Sequence, residues 1–230
     1  MTKPLISYLP PIGAQPAPST PPPSPQSSGA HKYVGAVAAG YDAKRDSSAK
    51  WKVEQAAVES FLDDMPAGSV ILDAPCGTGR FFPFYERKGF AVRGLDVSAD
   101  MIRQAAAKIT NANAMVGDVA QWMFAQGDVR STSLPDKSFD ATVNVRITRW
   151  LMGEHGPEGV VDMLKEMQRL ARKRVILTAR VANHPFACTY ETIESALDGW
   201  KVTRDVPGGK DTPEGPAVDE AYRVIMLEPA

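Results

Sequence analysis

The sequence has few of the residues that build disulfide or metal sites. Its 230 residues include only two cysteines, Cys76 and Cys188, and three histidines, His31, His155 and His184. The cysteines lie far apart in sequence, which favours reduced thiols in a cytoplasmic protein over a disulfide framework. None of these residues has the short spacing of a metal site, so we expect no bound metal.

Long apolar runs and an excess of one charge are also missing. No stretch approaches the roughly 20 apolar residues that cross a bilayer, and the N-terminus lacks the apolar core of a signal peptide. We therefore expect a soluble protein with no membrane partner. The formal net charge of −1 at pH 7 gives no general attraction to a polyanion, which argues against nucleic acid as a partner.

Proline, in contrast, is concentrated at the N-terminus. Residues 1–30 contain nine of the nineteen prolines, among Ser, Gln, Ala and Gly. Such a segment buries too little apolar surface to fold, so we predict a disordered arm at 1–30 followed by one domain at 31–230. A polyproline II ligand for a protein partner is the functional alternative to a plain solvated tail.

The rest of the chain alternates helix and strand patterns. Five apolar residues recur near helical spacing ahead of the first strand: Val53, Ala56, Ala57, Phe61 and Met65. They predict an amphipathic helix over 51–65 that covers one face of a sheet. Further helices are predicted at 80–88, from the N-cap Ser98 to about 108, at about 158–171 and at 191–198.

Strand patterns recur between these helices. Apolar runs rich in β-branched residues predict five strands, at 69–74, 90–97, 122–129, 139–147 and 174–181. Two more, at 200–206 and 222–229, are separated by a turn-rich stretch that is too short for a crossover helix. The prediction is an α/β fold with a Rossmann-like, doubly wound sheet of seven strands, mostly parallel, in which the last strand is antiparallel.

A glycine-rich turn follows the first predicted strand. In VILDAPCGTGR (70–80), Gly77 and Gly79 let a ligand approach the backbone closely at the N-terminus of the next helix. Seventeen residues beyond Gly79, Asp96 ends the second strand, where a carboxylate can accept both hydroxyls of a ribose. The GTG turn alone has a plain packing explanation, but its combination with Asp96 indicates a site for an adenosine-containing cofactor.

These motifs resemble those of the class I S-adenosylmethionine-dependent methyltransferases, in particular the small-molecule branch known as methyltransferase type 11. Three segments carry the resemblance in the family's order: VILDAPCGTGR (70–80), LDVSADMI (95–102) and QGDVRSTSLPDKSFD (126–140). The resemblance is strong over about residues 41–182. It implies an enzyme that uses S-adenosylmethionine to methylate a small-molecule acceptor by in-line displacement.

The resemblance also implies roles for individual residues, carried over by motif position. Gly77 and Gly79 would contact the methionine part of the cofactor, Asp73 would order its amino group, and Asp96 would hold the ribose. Further contacts are implied with the adenine and beside the sulfonium: Met101, Asp128 and Val129 for the adenine, and Val145 for the sulfonium. For Met101 and Val145, a place in the core explains the sequence equally well.

One assignment is ambiguous because GDV occurs twice. Either Asp118 or Asp128 can follow the third strand. Only the second copy stands at the family's usual distance before LPDKSFD, so we prefer Asp128 and interpret residues 110–121 as an insertion or an extra helical turn relative to the family.

Two further segments are candidates for contacts with cofactor or acceptor. Residues 41–51 resemble the lid that family members close over the cofactor, with Tyr41, Arg45 and Trp51 as candidate contacts. Past the fourth strand, Arg146 and Arg149 are candidates for docking an anionic or aromatic group of the acceptor. Solvation, helix capping and core packing are the plain alternatives for these five residues.

The sequence does not identify a catalytic residue. The cofactor's sulfonium is already a strong electrophile, so positioning is the main requirement. His155 and His184 follow the fourth and fifth strands and are candidates for a general base, although a lone loop histidine is more often solvated.

Other functions fit the sequence less well than methyl transfer to a small molecule. The residues after the fourth strand read NVRI and lack the motifs of DNA base methyltransferases. A noncatalytic S-adenosylmethionine-binding or scaffold protein is one alternative. A nicotinamide-dependent oxidoreductase is the other, although Phe82 stands where its GxGxxG motif requires glycine.

Overall fold

The computed structural model of the protein describes residues 32–46, 48–108, 124–212 and 215–230. The predicted arm at 1–30 and the predicted insertion at 110–121 lie outside the described residues. Within the described part of the chain, no helix combines the length and the apolar character that crossing a bilayer requires.

Helices and strands alternate along the described chain. In chain order they are α1 (Gly35–Ala39), α2 (Ala49–Ser60), β1 (Val70–Asp73), α3 (Phe82–Lys88), β2 (Ala91–Asp96), α4 (Ala99–Ala106), β3 (Phe124–Gln126), β4 (Phe139–Asn144), α5 (Thr148–Leu170), β5 (Ala171–Arg180), α6 (Tyr190–Glu194), β6 (Trp200–Thr212) and β7 (Gly215–Pro229).

The strands form one sheet of seven, in the order β3-β2-β1-β4-β5-β7-β6. Strand β1 pairs in parallel with β2 and β4, whereas β7 runs antiparallel to β5 and β6. This confirms the predicted seven-stranded α/β fold with an antiparallel last strand. Because the strand order reverses at β1, the carboxyl ends of β1, β2 and β4 border the crevice where open α/β sheets bind ligands.

Helices cover both faces of the sheet. Side chains of a strand alternate between the two faces, and Leu72 and Ile71 of β1 accordingly belong to different apolar clusters. Leu72 packs in the cluster that contains the α5 residue Met163, and Ile71 packs in the cluster that contains Phe61 and Tyr85. All four residues of β1 are buried, as expected for a central parallel strand.

Helix ends follow the predicted caps. The Ser98 hydroxyl accepts a hydrogen bond from the Met101 N–H at the start of α4, which is the usual N-cap arrangement. Gly89 ends α3 in a left-handed conformation with φ 69°, as glycine commonly does at this position. The Ser98 cap defines the start of α4, which follows the carboxyl end of β2 at the crevice.

Helix α2 turns a different face to the core from the one that its apolar pattern predicts. Val53 is 39% exposed, and Ala56 is also exposed. The buried residues are instead Trp51, Glu54 and Val58, which share a face at helical spacing. The prediction was right for Phe61 and Met65, which are buried. It was wrong for Val53 and Ala56 because it excluded a glutamate from the core, whereas Glu54 is buried in a network of ion pairs.

Two other regions are more regular than predicted. Helix α5 begins at Thr148, about ten residues before the predicted start, and is kinked at Gly156, where φ is 66° and ψ is −161°. The turn-rich stretch 208–216 is largely strand, because β6 continues to Thr212 and β7 begins at Gly215. Strand β7 pairs with β5 only between Tyr222 and Leu227, so the tip of the β6–β7 hairpin extends beyond the edge of β5.

Candidate functional site

A cavity of about 870 Å³ lies at the carboxyl ends of the central strands. Most of the candidate site residues form part of its wall: Tyr41, Arg45, Gly77, Asp96, Met101, Asp128, Val129, Val145, Arg146, Arg149 and His155. Four other candidates are not wall residues: Trp51, Asp73, Gly79 and His184. The cavity has the volume of a site for a small ligand.

The two glycines of the turn between β1 and α3 have different surroundings. Both have positive φ angles, 54° at Gly77 and 73° at Gly79. A Cβ atom on Gly77 would meet only the Met101 side chain, at 3.8 Å, whereas one on Gly79 would lie 3.1 Å from Ala105 and Phe82. Gly77 therefore keeps the backbone open toward the cavity, and Gly79 allows the turn to pack closely on α4 and α3.

Asp96 joins the end of β2 to this turn. Its Oδ2 accepts the Gly77 N–H and its Oδ1 accepts the Ser98 N–H, each at 2.9 Å. Burial raises the pKa of the Asp96 carboxyl, while the N–H groups of Ser98, Gly77 and Val97 oppose this rise. Each carboxylate oxygen has more than one lone pair, so Asp96 can accept further hydrogen bonds from a diol in the cavity.

Asp73 lies behind the wall rather than in it. It is 1% exposed, and the Tyr85 hydroxyl donates to its Oδ2 at 3.4 Å. Burial raises the pKa of Asp73 to about 8, although the nearby Arg80 opposes the rise. Asp73, at the end of β1, therefore contacts the Tyr85 hydroxyl and does not line the cavity.

The second GDV copy lies at the cavity. Strand β3 ends at Gln126, and the following Gly127 N–H donates to the Asp96 carbonyl at 3.0 Å. Asp128 comes next and lines the cavity, whereas Asp118 lies outside the described residues. The Arg130 guanidinium reaches back to Asp128, with Nη2 2.6 Å from Oδ2, so a ligand's amino group would share this carboxylate with Arg130.

Residues 32–46 form another wall and are attached to the glycine turn. Asp42 accepts from the Thr78 hydroxyl at 2.6 Å and pairs with Lys108 at 2.6 Å. The Ser98 hydroxyl donates to the Tyr33 carbonyl at 2.5 Å. Thr78 stands between the two glycines of the turn. Its hydrogen bond to Asp42 therefore connects the turn directly to the segment that resembles the lid, residues 41–51.

Three aromatic rings line the cavity beside this segment. The Tyr33 ring lies edge-on to the rings of Tyr41 and Trp150, with centroids 5.6 and 5.9 Å apart. Sequence reasoning named Tyr41 but missed Tyr33, because residue 33 lies ahead of the segment that resembles the family's lid.

A buried ionic network supports the wall past β4. Glu54 is fully buried, and its Oε1 accepts from Arg80 Nη2 at 2.6 Å and from Arg146 Nε at 2.9 Å. The Tyr222 hydroxyl donates to Glu54 Oε2, and burial raises the pKa of Tyr222 well above its ordinary value. Arg146 has a left-handed φ of 64°, and its N–H donates to Thr178 Oγ1 at 2.9 Å.

Sequence reasoning missed Glu54 and Tyr222. The available signal for Glu54 was its helical spacing to Trp51 and Val58, which places all three on one helix face. No local pattern marks Tyr222, because its partner lies 168 residues earlier in the chain.

The tip of the β6–β7 hairpin closes one side of the cavity. Asp211 accepts from the Ser48 hydroxyl at 2.9 Å and from the Lys50 N–H at 3.0 Å. A Cβ atom on Gly209 would lie 3.0 Å from Lys50 Cα and from Val53 Cβ, so only glycine permits this close approach. The hairpin tip is thereby held against the N-terminal end of α2.

The two candidate bases differ in position. His155 lines the cavity, and its Nε2 lies 3.8 Å from Glu154 Oε2. His184 is not a wall residue, and its Nδ1 accepts the Phe186 N–H at 3.3 Å. Both cysteines are buried free thiols, and the described residues contain no His, Cys, Asp and Glu group arranged to hold a metal ion.

Comparison with known proteins gives one family match and one relative. Residues 71–174, a little under half of the chain, match the family model of a methyltransferase domain. The Bacillus subtilis (strain 168) protein YqeM, which its name places provisionally among methyltransferases, is 34% identical over 79 residues, or 34% of this chain. That match spans 29% of the length of YqeM.

Solved structures share the fold over most of the chain. Magnesium protoporphyrin IX methyltransferase from Synechocystis PCC 6803, with bound S-adenosylmethionine, has a TM-score of 0.55 at 19% identity and covers 79% of both chains. The 1,6-didemethyltoxoflavin-N1-methyltransferase from Burkholderia thailandensis, with bound 1,6-didemethyltoxoflavin and S-adenosylhomocysteine, has a TM-score of 0.54 at 16% identity and covers 84% of both. At these identities the likeness is one of fold.

The family match begins within β1 and includes the glycine turn, Asp96 and Asp128. It thus covers the part of the sheet that borders the cavity. Residues 71–174 therefore match a methyltransferase domain, and most of the chain shares the fold of the solved methyltransferases.

Proposed function

We propose that the protein is an enzyme that transfers a methyl group from S-adenosylmethionine to a small-molecule acceptor. The observation that carries this proposal is a single cavity whose wall combines two chemically different groups of residues. We assign the first end, for the cofactor, to the open backbone of Gly77, the Asp96 carboxylate and the Met101 side chain. We assign the second end, for the acceptor, to aromatic and cationic side chains, including Trp150 and Arg146.

The first end fits the cofactor. Asp96 offers two carboxylate oxygens to a ribose, and Gly77 leaves room for the chain that joins the ribose to the methionine carboxyl. Met101 and Val129, both nearly buried, offer apolar surface to the adenine, and Asp128 offers an acceptor to its amino group. These are the roles that the sequence motifs predict.

The second end suits an acceptor that is much smaller than a macromolecule. The lid segment, the hairpin tip and residues after β4 all contribute to one wall, so the acceptor is surrounded on several sides. A neighbour of the same fold binds 1,6-didemethyltoxoflavin, a small molecule, beside the cofactor product. This supports a small-molecule acceptor for the present protein.

The cofactor and the protein contribute different parts of the reaction. S-adenosylmethionine supplies a methyl group on a positively charged sulfur, which makes it a strong electrophile when bound. The chain's task is to align the acceptor atom with that methyl group and to exclude competing water. Val145 and Arg146, directly after β4, are the wall residues that we assign to the acceptor side.

We assign His155 as the group that accepts a proton from the acceptor. It lines the cavity, whereas the other candidate, His184, does not. A neutral imidazole has a ring nitrogen that can accept a proton, which suits a general base. Replacement of His155 with glutamine should therefore lower the methyl-transfer rate much more than the affinity for S-adenosylhomocysteine.

The test is calorimetric titration of the protein with S-adenosylmethionine, S-adenosylhomocysteine and NAD. We expect the first two to bind and NAD not to bind. A methyl-transfer screen of small-molecule acceptors with radiolabelled S-adenosylmethionine then distinguishes an enzyme from a cofactor-binding scaffold. Binding of NAD instead would favour an oxidoreductase and overturn the proposal.

A further inference from the structure

Cationic side chains outnumber carboxylates around the cavity. Among the described wall residues, eight are lysine or arginine and five are aspartate or glutamate. Arg130 and Arg180 are paired with Asp128 and Asp219, at 2.6 and 2.8 Å. Arg45, in the lid segment, forms no ion pair with any residue that the structure describes. The wall therefore carries a surplus of positive charge.

Part of this charge lies around the Trp51 ring. Three guanidinium groups surround this ring, with Cζ atoms 4.4 Å (Arg80), 5.6 Å (Arg146) and 5.7 Å (Arg45) from its centroid. Within this part of the described structure, Glu54 is the one carboxylate that pairs with them, and it pairs with Arg80 and Arg146. Two of the three arginines, Arg45 and Arg146, line the cavity.

The cluster also has more hydrogen-bond donors than acceptors. Trp51 Nε1 and Arg80 Nη1 are buried and have no acceptor among the described residues. A buried donor without an acceptor costs about 1–3 kcal/mol. Arg146 is held by its Nε bond to Glu54 and by its backbone bond to Thr178, so its guanidinium is fixed before any ligand arrives.

The rest of the sequence offers few carboxylates to this cluster. Outside the described residues the sequence contains only two carboxylate side chains, Asp118 and Glu214. The cofactor does not neutralise the charge, because a sulfonium and an ammonium outweigh one carboxylate. The described wall together with the cofactor therefore has a surplus of positive charge.

We propose that the acceptor carries an anionic group, a carboxylate or a phosphate, which binds to Arg146 and Arg45 at the edge of the Trp51 cluster. A guanidinium pairs with two oxygens of either group at once, which gives both affinity and orientation. Anion binding at this point holds the acceptor on the Val145 side of the cavity, where the methyl group is transferred. This inference rests on the proposed function and names its acceptor class.

The test uses three aromatic probes of similar shape, because Tyr33 and Trp150 line the same cavity. Binding of benzoate, phenyl phosphate and benzamide is measured by ligand-detected NMR on protein saturated with S-adenosylhomocysteine. We expect at least one anionic probe to bind at least tenfold more tightly than the neutral amide, and increasing ionic strength to reduce that preference. The stronger of the two anions identifies the group.

Two variants test the assigned arginines. Arg146→Gln and Arg45→Gln should each reduce the preference for the anion at least fivefold, and Arg45 has no ion partner in the described structure whose loss would disturb folding. Arg204→Gln is the matched control, because Arg204 also stacks on an aromatic ring, Phe61, at 4.2 Å, but lies outside this cavity. It should leave the preference unchanged.

The failure of this inference is distinct from failure of the proposed function. If S-adenosylhomocysteine does not bind the wild type, the proposed function fails. If it binds and benzamide binds as tightly as both anions, only the anionic acceptor is overturned. If Arg146→Gln weakens S-adenosylhomocysteine but not 5′-methylthioadenosine, and leaves probe binding unchanged, Arg146 holds the cofactor's own carboxylate and the inference is again overturned.

Discussion

Asp96 shows how one side chain serves both the fold and the site. Its two oxygens hold the N–H groups of Gly77 and Ser98 at 2.9 Å. The carboxylate thereby ties the glycine turn to the start of α4 before any ligand is present. A ligand that adds hydrogen bonds to the same oxygens meets an acceptor whose position is already fixed, so little ordering is needed on binding.

For Asp96→Ala we expect the affinity for S-adenosylmethionine to fall by about 2–3 kcal/mol, because two charge-assisted hydrogen bonds to the ribose are lost. Calorimetry on the folded variant measures this. The variant should also be less stable, since the Gly77 and Ser98 N–H groups lose their acceptor. A folded variant with unchanged affinity would show that Asp96 does not hold the ribose.

Asp128 and Asp118 give a second pair of matched variants. Asp128→Ala should weaken S-adenosylmethionine and S-adenosylhomocysteine alike by about 1–3 kcal/mol, because the adenine contact is remote from the methyl group. Asp118→Ala should leave both affinities nearly unchanged. Normal binding by the Asp128 variant, with a clear loss in the Asp118 variant, would mean that the first GDV copy recognises the adenine.

The buried Asp73 carboxyl makes stability depend on pH. Its pKa is raised from 3.8 to about 8, so folding favours the protonated form. The stabilisation is therefore complete below about pH 4 and is lost as the pH rises toward 8, at up to about 1.4 kcal/mol for each pH unit.

Asp73→Asn imitates the protonated carboxyl and should remove this loss. We expect its free energy of unfolding, relative to wild type, to increase between pH 5 and pH 8 and to change little above that. Urea denaturation of both proteins across this range provides the measurement. Parallel curves for the two proteins would show that Asp73 ionises normally in the folded state.

At the scale of elements, the β6–β7 hairpin and α2 are joined at their ends. Ser48 is the N-cap residue of α2 but makes no side-chain cap of its own. Asp211 from the hairpin takes that role, accepting the Lys50 N–H at 3.0 Å and the Ser48 hydroxyl at 2.9 Å. The helix is thus capped by a residue 161 positions later in the sequence.

Asp211→Ala should therefore destabilise the protein by about 1 kcal/mol, the usual effect of losing a helix cap. It should also increase hydrogen exchange at the hairpin tip and the first turn of α2, while exchange in β1 and β4 stays slow. Asp198→Ala, at an exposed aspartate outside the cavity wall, is the control. Unchanged exchange at the hairpin tip would mean that other contacts hold it in place.

Across the whole molecule, the sequence predicts what local patterns determine. The β1 apolar run, the Ser98 cap and the Gly89 helix end all occur as predicted, because each depends on neighbours within a few residues. The position of Asp128 directly after β3 follows from motif spacing in the same way. These features are enough to define the sheet and the cofactor end of the cavity.

The acceptor end was less predictable because distant pairings create it. Glu54 is buried with three partners, Arg80, Arg146 and Tyr222, which come from three distant parts of the chain. A prediction based on hydrophobicity places such a glutamate at the surface. It therefore assigns the wrong residues of α2 to the buried face of the helix. The extended β6–β7 hairpin was missed since its glycines and proline signal a turn when taken alone.

The predicted arm supplies a test on the whole chain. Deletion of residues 1–30 should leave the thermal midpoint and the affinity for S-adenosylmethionine nearly unchanged, because a disordered segment contributes little to a folded core. Thermal denaturation and calorimetry of the shortened protein measure both quantities. A large loss in either would show that the arm docks on the domain.

The Tyr222–Glu54 contact has a consequence for the order in which the protein is made. These residues are 168 positions apart, and the ribosome adds roughly 5–20 residues each second. The glycine turn and Asp96 emerge early, but the Glu54 network stays incomplete until Tyr222 has left the ribosome. A nascent chain therefore cannot complete this network before Tyr222 has been made, so the wall past β4 reaches its final arrangement only after β7 has joined the sheet.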